Sequence, residues 1–148
     1  MVAYSFKPSF IEPIRAREKR QTIRLPRKRH AQPGEALQLF TGPRMRPTRL
    51  GGAICQRVAQ VRLDFKRDLV TLDDAIEIAG DEALNTFAIR DGFRPWGAAT
   101  RLQPWEFMGR WWSATHPENP VFAGVLVDWD ETFAAFVPEN SLPGELAA

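Results

Sequence analysis

Cysteine occurs once and histidine twice in the 148 residues. Cys55 has no second thiol to pair with, so an intrachain disulfide framework is excluded. His30 and His116 lie far apart and have no cysteine cluster near them, so neither a zinc site nor any other cofactor is expected. No apolar run approaches the roughly 20 residues of a membrane helix. The opening MVAYSFKPSF has no basic start followed by an apolar core and does not read as a secretory signal. These absences predict a cytoplasmic protein with no membrane partner. Acids are scarce near the start. Residues 1–50 carry twelve Lys or Arg and three Asp or Glu, a balance of +9, while residues 51–148 carry eight and fifteen, a balance of −7, giving the net +2. A basic region on an otherwise acidic chain is a footprint for an anion, often nucleic acid. The alternative is a solvated surface, but these cations lie beside strand-like segments and not in an end tail.

What is present fits a folded domain: 44% hydrophobic and 26% charged residues, near the globular average. Ala3–Phe6 is β-prone. Phe10, Ile11 and Ile14 have helical spacing, predicting a helix from about Ser9 to Ala16 with Ser9 as its cap. Strands are expected at Thr22–Leu25, Ala36–Phe40, Leu69–Leu72 and Val121–Val127. Residues 41–52, TGPRMRPTRLGG, read as a loop. The alternation of Ala53–Phe65, broken once, reads as one long strand with a bulge. Asp81–Ile89 reads as a helix, followed by a turn at Asp91-Gly92-Phe93. Residues 103–114 read as a second helix with Pro104 in its first turn, and its stripe of Trp105, Met108, Trp111 and Trp112 reads as core. The expected fold is α+β, one domain over residues 1–138 with a tail at 139–148. Its short strands and Pro/Gly turns favour a small, curved sheet or barrel flanked by helices.

Residues 19–24, KRQTIR, crowd three cations around one hydroxyl. Lys19 and Thr22 would face opposite ways on a strand and share a face on a helix. The expected helix-to-strand junction lets them converge. A neutral lysine can take the proton of a threonine hydroxyl, and neighbouring cations help keep it neutral. A carboxylate would then orient the amine. The ordinary alternative is a basic surface beside a strand hydroxyl. Arg27, Lys28 and Arg29, and then Arg44, Arg46 and Arg49, are candidates for phosphate contact or for plain solvation. Trp96 could stack on a base or pack in the core. Cys55 reads as a buried, inert thiol. His30, in a basic loop, could touch phosphate.

KRQTIR, followed by PGEALQLFTG and GGAICQRV, resembles the ASCH domain family (activating signal cointegrator homology), in its short bacterial and phage form. FAIRDGFRPWG followed by WEFMGRWW is similar to that family's helical insert. The resemblance covers roughly residues 3–128, and Lys19-x-x-Thr22-x-Arg24 followed by Pro33-Gly34 is its most specific part. It implies a PUA-like β-barrel flanked by helices, with a basic cleft between them. It further implies an amidohydrolase acting on N4-acylated cytidine, or an RNA-binding module, or magnesium-assisted cleavage of single-stranded RNA. Carried onto this chain, the catalytic group is Lys19, Thr22 and Asp91, where Asp91 stands in place of the family's glutamate and is one methylene shorter. Arg24 and Arg20 would bind substrate, and Phe40 would stack on a base where relatives often have tyrosine. Arg17, Arg27, Lys28, Arg29, Arg44 and Arg46 would contact nucleic acid. The expected partner is a modified nucleoside or RNA.

Overall fold

A computed structural model of the chain describes residues 1–94 and 101–138. The expected tail at 139–148 and Trp96 lie outside the described residues. Among the described residues the architecture is α+β, with two sheets and three α-helices.

One sheet holds β1 (Val2–Phe6), β3 (Ala36–Thr41), β4 (Thr48–Ile54) and β9 (Ala134–Ala135), in the order β1-β3-β4-β9. Its β1–β3 pair is parallel and the others are antiparallel. The second sheet holds β2 (Gln21–Arg24), β5 (Arg57–Asp64), β6 (Leu69–Leu72), β7 (Ile76–Ile78) and β8 (Val121–Asp128), all antiparallel in the order β2-β8-β5-β6-β7. A 3-10 turn at Pro8–Phe10 runs into α1 (Ile11–Arg15); α2 (Asp81–Arg90) and α3 (Pro104–Thr115) follow β7. Apolar side chains from both sheets and all three helices join one core that includes Tyr4, Ile14, Leu39, Leu63, Leu84, Met108 and Trp129.

Most expected elements appear within a residue or two of their expected bounds. Three differ. The segment 53–65 is not one bulged strand: β4 ends at Ile54 and β5 begins at Arg57 in the other sheet. Cys55 makes the corner, since its N–H donates to Glu35 O and its carbonyl accepts from Gly34 N, while Gln56 N donates to Asp128 O. The register shift lies instead at Leu39/Phe40, where β3 pairs with β4. The second half of the expected loop 41–52 belongs to β4, despite its paired glycines. A Cβ on Gly51 would collide with the Ala134 carbonyl, so this glycine lets β9 approach. Ser9 is no cap: it lies inside the 3-10 turn, and no side chain caps either helical start.

Candidate active site

Lys19 sits just before β2, on a segment clamped from both sides. The N–H groups of Glu18 and Lys19 both donate to Pro13 O, and Arg17, with φ of 62°, turns the chain out of α1. Arg20 N donates to Arg90 O at 2.8 Å, and Arg20 O accepts from Trp129 N at 2.8 Å. Within β2, Thr22 pairs with Val127 and Arg24 with Val125. Two residues apart on a strand, Thr22 and Arg24 share a face. The Arg24 Nε–H donates to Thr22 Oγ1 at 2.9 Å, and Nη2 donates to Ser5 O at 2.6 Å.

Asp91 is brought in by the end of α2. Gly92 N donates to Ile89 O and Phe93 N to Ala88 O, the paired bonds of a Schellman cap, with Gly92 at φ +96°. Asp91 is the C-cap. Lys19 Nζ donates to its backbone carbonyl at 2.6 Å and lies 3.9 Å from Oδ1. An ammonium there also meets the negative end of the helix dipole. Gln21 Nε2 donates to Asp91 Oδ1 at 3.4 Å. Phe10 and Phe6 present ring faces to Nζ, at 4.6 and 5.5 Å to their centroids.

Lys19, Thr22, Arg24 and Asp91 all line one cavity of about 270 Å³. Its walls are aromatic. Phe10, Phe93 and Trp111 meet edge to face, and His116 stacks on Trp112 at 4.7 Å beside Phe122. Burial pushes the Lys19 ammonium down from 10.5 to about 8; the Asp91 charge opposes the shift and Arg24 adds to it. Burial pushes the Asp91 carboxyl up from 3.8 to about 6, against the pull of Lys19, Gln21 and Arg24. Desolvation outweighs attraction in both. The two shifts bring the proton affinities of the amine and the carboxyl toward each other and toward neutrality. The Arg24 guanidinium is lowered by burial and then by Arg27. A lysine that loses its proton near neutrality, beside a hydroxyl already receiving a charged hydrogen bond, can serve base and nucleophile chemistry. Lys19 and Thr22 share the cavity but not a hydrogen bond.

The other expected site residues divide. Arg20 does not reach the cavity: its Nη1 lies 3.4 Å from Asp130 Oδ1 and 3.2 Å from Glu131 Oε1. Phe40 does not line it either, because the alternation of β3 buries Leu39 and Thr41 and turns Phe40 the other way. Arg17 donates to Phe133 O and covers that ring. Arg29 pairs with Glu35. Arg27 lies over the Tyr4 ring at 4.6 Å and donates to Arg29 O, while Lys28, Arg44 and Arg46 are exposed. Arg49 lies over Phe136. His30 is held between Tyr4 Oη at 3.0 Å and Leu25 O at 2.9 Å. Cys55 is buried, and burial pushes its thiol pKa up. Sequence reasoning missed Phe6, Lys7, Phe10 and His116 as lining residues. It placed Trp111 in the core, where it packs half-buried with one side on the cavity.

Among the described residues Asp91 is the one carboxylate lining the cavity, where Lys19 Nζ lies 3.9 Å from its Oδ1 and Gln21 donates to that oxygen. Among the described residues no three His, Cys, Asp or Glu side chains gather as metal ligands. This donor set does not fit a magnesium ion, which takes octahedral oxygen coordination. Comparison with family models, curated proteins and solved structures found no match to this chain.

Proposed function

We propose that the chain is a cytoplasmic ASCH-like amidohydrolase that cleaves the amide bond of N4-acylated cytidine. The observation that carries this reading is the buried Lys19–Asp91 pair beside Thr22 and Arg24 in one small aromatic cavity. In this reading the two sheets are the halves of a PUA-like barrel, joined at the Cys55–Gln56 corner.

Lys19 as free amine turns from the Asp91 carbonyl toward Thr22 and takes the hydroxyl proton. Thr22 Oγ adds to the amide carbonyl carbon, and the carbonyl electrons move onto oxygen. The Arg24 guanidinium stabilises the negative charge that develops. Collapse breaks the C–N4 bond, and Lys19 returns the proton to the departing amine of cytidine. Water, deprotonated by Lys19, then hydrolyses the Thr22 ester, releasing the carboxylic acid and restoring the hydroxyl. The Asp91 carboxylate, 3.9 Å from Nζ, orients Lys19 and steadies it whenever it carries the proton. The flat aromatic walls suit a planar base.

Following ultraviolet absorbance during incubation with N4-acetylcytidine tests this. The parent is expected to turn over, and Thr22→Ala and Lys19→Ala, checked for folding, are expected not to. Absence of turnover by the folded parent would sink the reading. RNA binding without chemistry is the second reading, favoured by the exposed Arg27, Lys28, Arg44 and Arg46. It calls for affinity that falls steeply with salt and is indifferent to Thr22→Ala.

A further inference from the structure

The cavity does not end at its aromatic wall. Ser5, Phe6 and Lys7 line it, and the same three residues line a second, shallower concavity completed by Pro8, Gly42 and Pro43. The two hollows therefore share a wall at the end of β1. Lys7 stands between them, its Nζ 5.1 Å from the centroid of Trp111. The turn that closes the second hollow, fixed by Arg46 N donating to Pro43 O, carries Arg44 and Arg46, both exposed.

Acids are distributed unevenly. Arg15, Arg20, Arg29, Arg57, Arg90, Arg94 and Arg110 each lie within ion-pair distance of a carboxylate. Among the described residues no carboxylate pairs with Lys7, Arg44 or Arg46. Lys7 on the shared wall, with Arg44 and Arg46 on the turn that follows Pro43, adds positive charge beside a cavity already lined by Lys19 and Arg24, more than a neutral nucleoside needs.

We infer that the hollow at Ser5–Pro8 and Gly42–Pro43 is a phosphate subsite, so that the ligand entering the aromatic cavity is a phosphate-bearing nucleoside. The inference rests on reading the cavity as a cytidine pocket. The phosphate belongs either to a mononucleotide or to the next link of a single strand, and the two sources separate by experiment.

Calorimetric titration at low salt compares cytidine, cytidine 5′-monophosphate, cytidine 3′-monophosphate and a short single-stranded oligocytidylate, using the whole chain. At least one phosphate-bearing ligand is expected to bind about tenfold or more tightly than cytidine, consistent with one or two added charge-assisted contacts. That ratio is expected to fall toward one in Lys7→Ala and in the Arg44→Ala/Arg46→Ala pair, with thermal melts confirming that both variants fold. A gain confined to the oligonucleotide assigns the subsite to a strand; a gain shared by a mononucleotide assigns it to a phosphomonoester. Equal binding of cytidine and all its phosphates, binding of none of them at millimolar concentration, or a gain that survives both variants overturns the subsite. Uridine 5′-monophosphate separates the two claims. If it gains as much as the cytidine nucleotide, the subsite stands and the cytidine reading of the cavity fails.

Discussion

Lys19 and Arg20 are consecutive cations whose surroundings differ in almost every respect. Lys19 is 3% exposed, faces two phenylalanine rings and has one buried carboxylate 3.9 Å from its Nζ. The Arg20 side chain is 29% exposed and sits between Asp130 and Glu131. Behind it, Arg90 holds Asp128 at 3.1 Å and Asp130 at 3.6 Å. Burial is the largest influence on the Lys19 ammonium, ahead of its carboxylate partner. The loss of water therefore decides its chemistry, while Arg20 stays partly in solvent beside two acids. Charge density in the sequence does not separate the two residues; which one is dry does.

The sharpest way to break this comparison is activity. On the proposed function, Lys19→Ala should lower kcat about 10²- to 10⁴-fold, the usual worth of a general base, and Arg20→Ala should leave it near the parent's. In the parent, kcat/KM should rise with pH and level off above about 8, as Lys19 gives up its proton. A profile flat from pH 7 to 9 would remove Lys19 from the role of base.

Stability tests the cost of keeping Lys19 dry. Removing one member of a buried pair strands the other, so Lys19→Met alone should destabilise by about 3–5 kcal/mol. The double change Lys19→Met/Asp91→Leu should recover that loss and reach or exceed the parent's stability, by up to about 4 kcal/mol. The pH dependence follows from the two shifts. Asp91 is raised from 3.8 to about 6, so the native state holds its proton more firmly than the unfolded chain does, and stability falls as pH rises through that interval. Lys19 is lowered from 10.5 to about 8, so the unfolded chain holds that proton more firmly, and stability rises from about 8 toward 10.5. The pair thus lowers stability most between about 6 and 8. Urea titrations at stepped pH should show this trough in the parent and lose it in the double variant; a trough that persists there belongs to other groups.

Gly92 and Gly80 give a smaller, internally controlled contrast. Both have φ near +90°, at +96° and +88°. Alanine at either should cost about 1–3 kcal/mol for a positive-φ backbone that L side chains rarely adopt. A Cβ at Gly80 meets nothing within 4 Å, whereas one at Gly92 would come within 2.8 Å of Lys19 Cδ and of Phe10 Cδ1. Gly92→Ala should therefore depress kcat as well as stability, and Gly80→Ala stability alone. Equal activity in the two variants would mean that the position of the Lys19 stem does not matter.

Part of the cavity's polar lining was legible in the sequence. The basic stretch singled out Lys19, Thr22 and Arg24, and Asp91 was joined to them only through the resemblance, its turn alone giving it no such role. The rest depended on partners distant in sequence. Nothing near Arg20 announces that Asp130 and Glu131 will claim it. Phe40 was misassigned because a position beside Thr-Gly says nothing about which way β3 turns its faces. Trp111 was read as core because helical spacing marks a face that packs and cannot tell a filled interior from a cavity wall. The strand alternation crosses Cys55 and Gln56 almost unbroken, and it is Glu35 and Asp128 that turn the chain there.

The smallest expected effect sharpens the comparison from the other side. Arg20 contributes through its side chain to a partly exposed ion-pair network and through its backbone to the clamp on β2. Alanine removes the ion pairs and the exposed bond from Nε to Arg17 O, and leaves the backbone clamp. The bonds from Arg20 N to Arg90 O and from Trp129 N to Arg20 O persist, so the path of the chain into Lys19 is kept. An exposed ion pair of this kind is worth less than about 1 kcal/mol and weakens as salt screens it. With the lost bond to Arg17 O, Arg20→Ala should therefore cost about 1–2 kcal/mol in dilute buffer and less at about 0.5 M salt, where the Debye length falls to only a few ångströms. The Lys19–Asp91 pair, closed off from solvent, should show no comparable salt dependence. If Arg20→Ala instead matched Lys19→Met in stability, or Lys19→Ala in lost turnover, then dryness would not be what divides the two cations, and the acidic turn after β8 would have to be counted as part of the site.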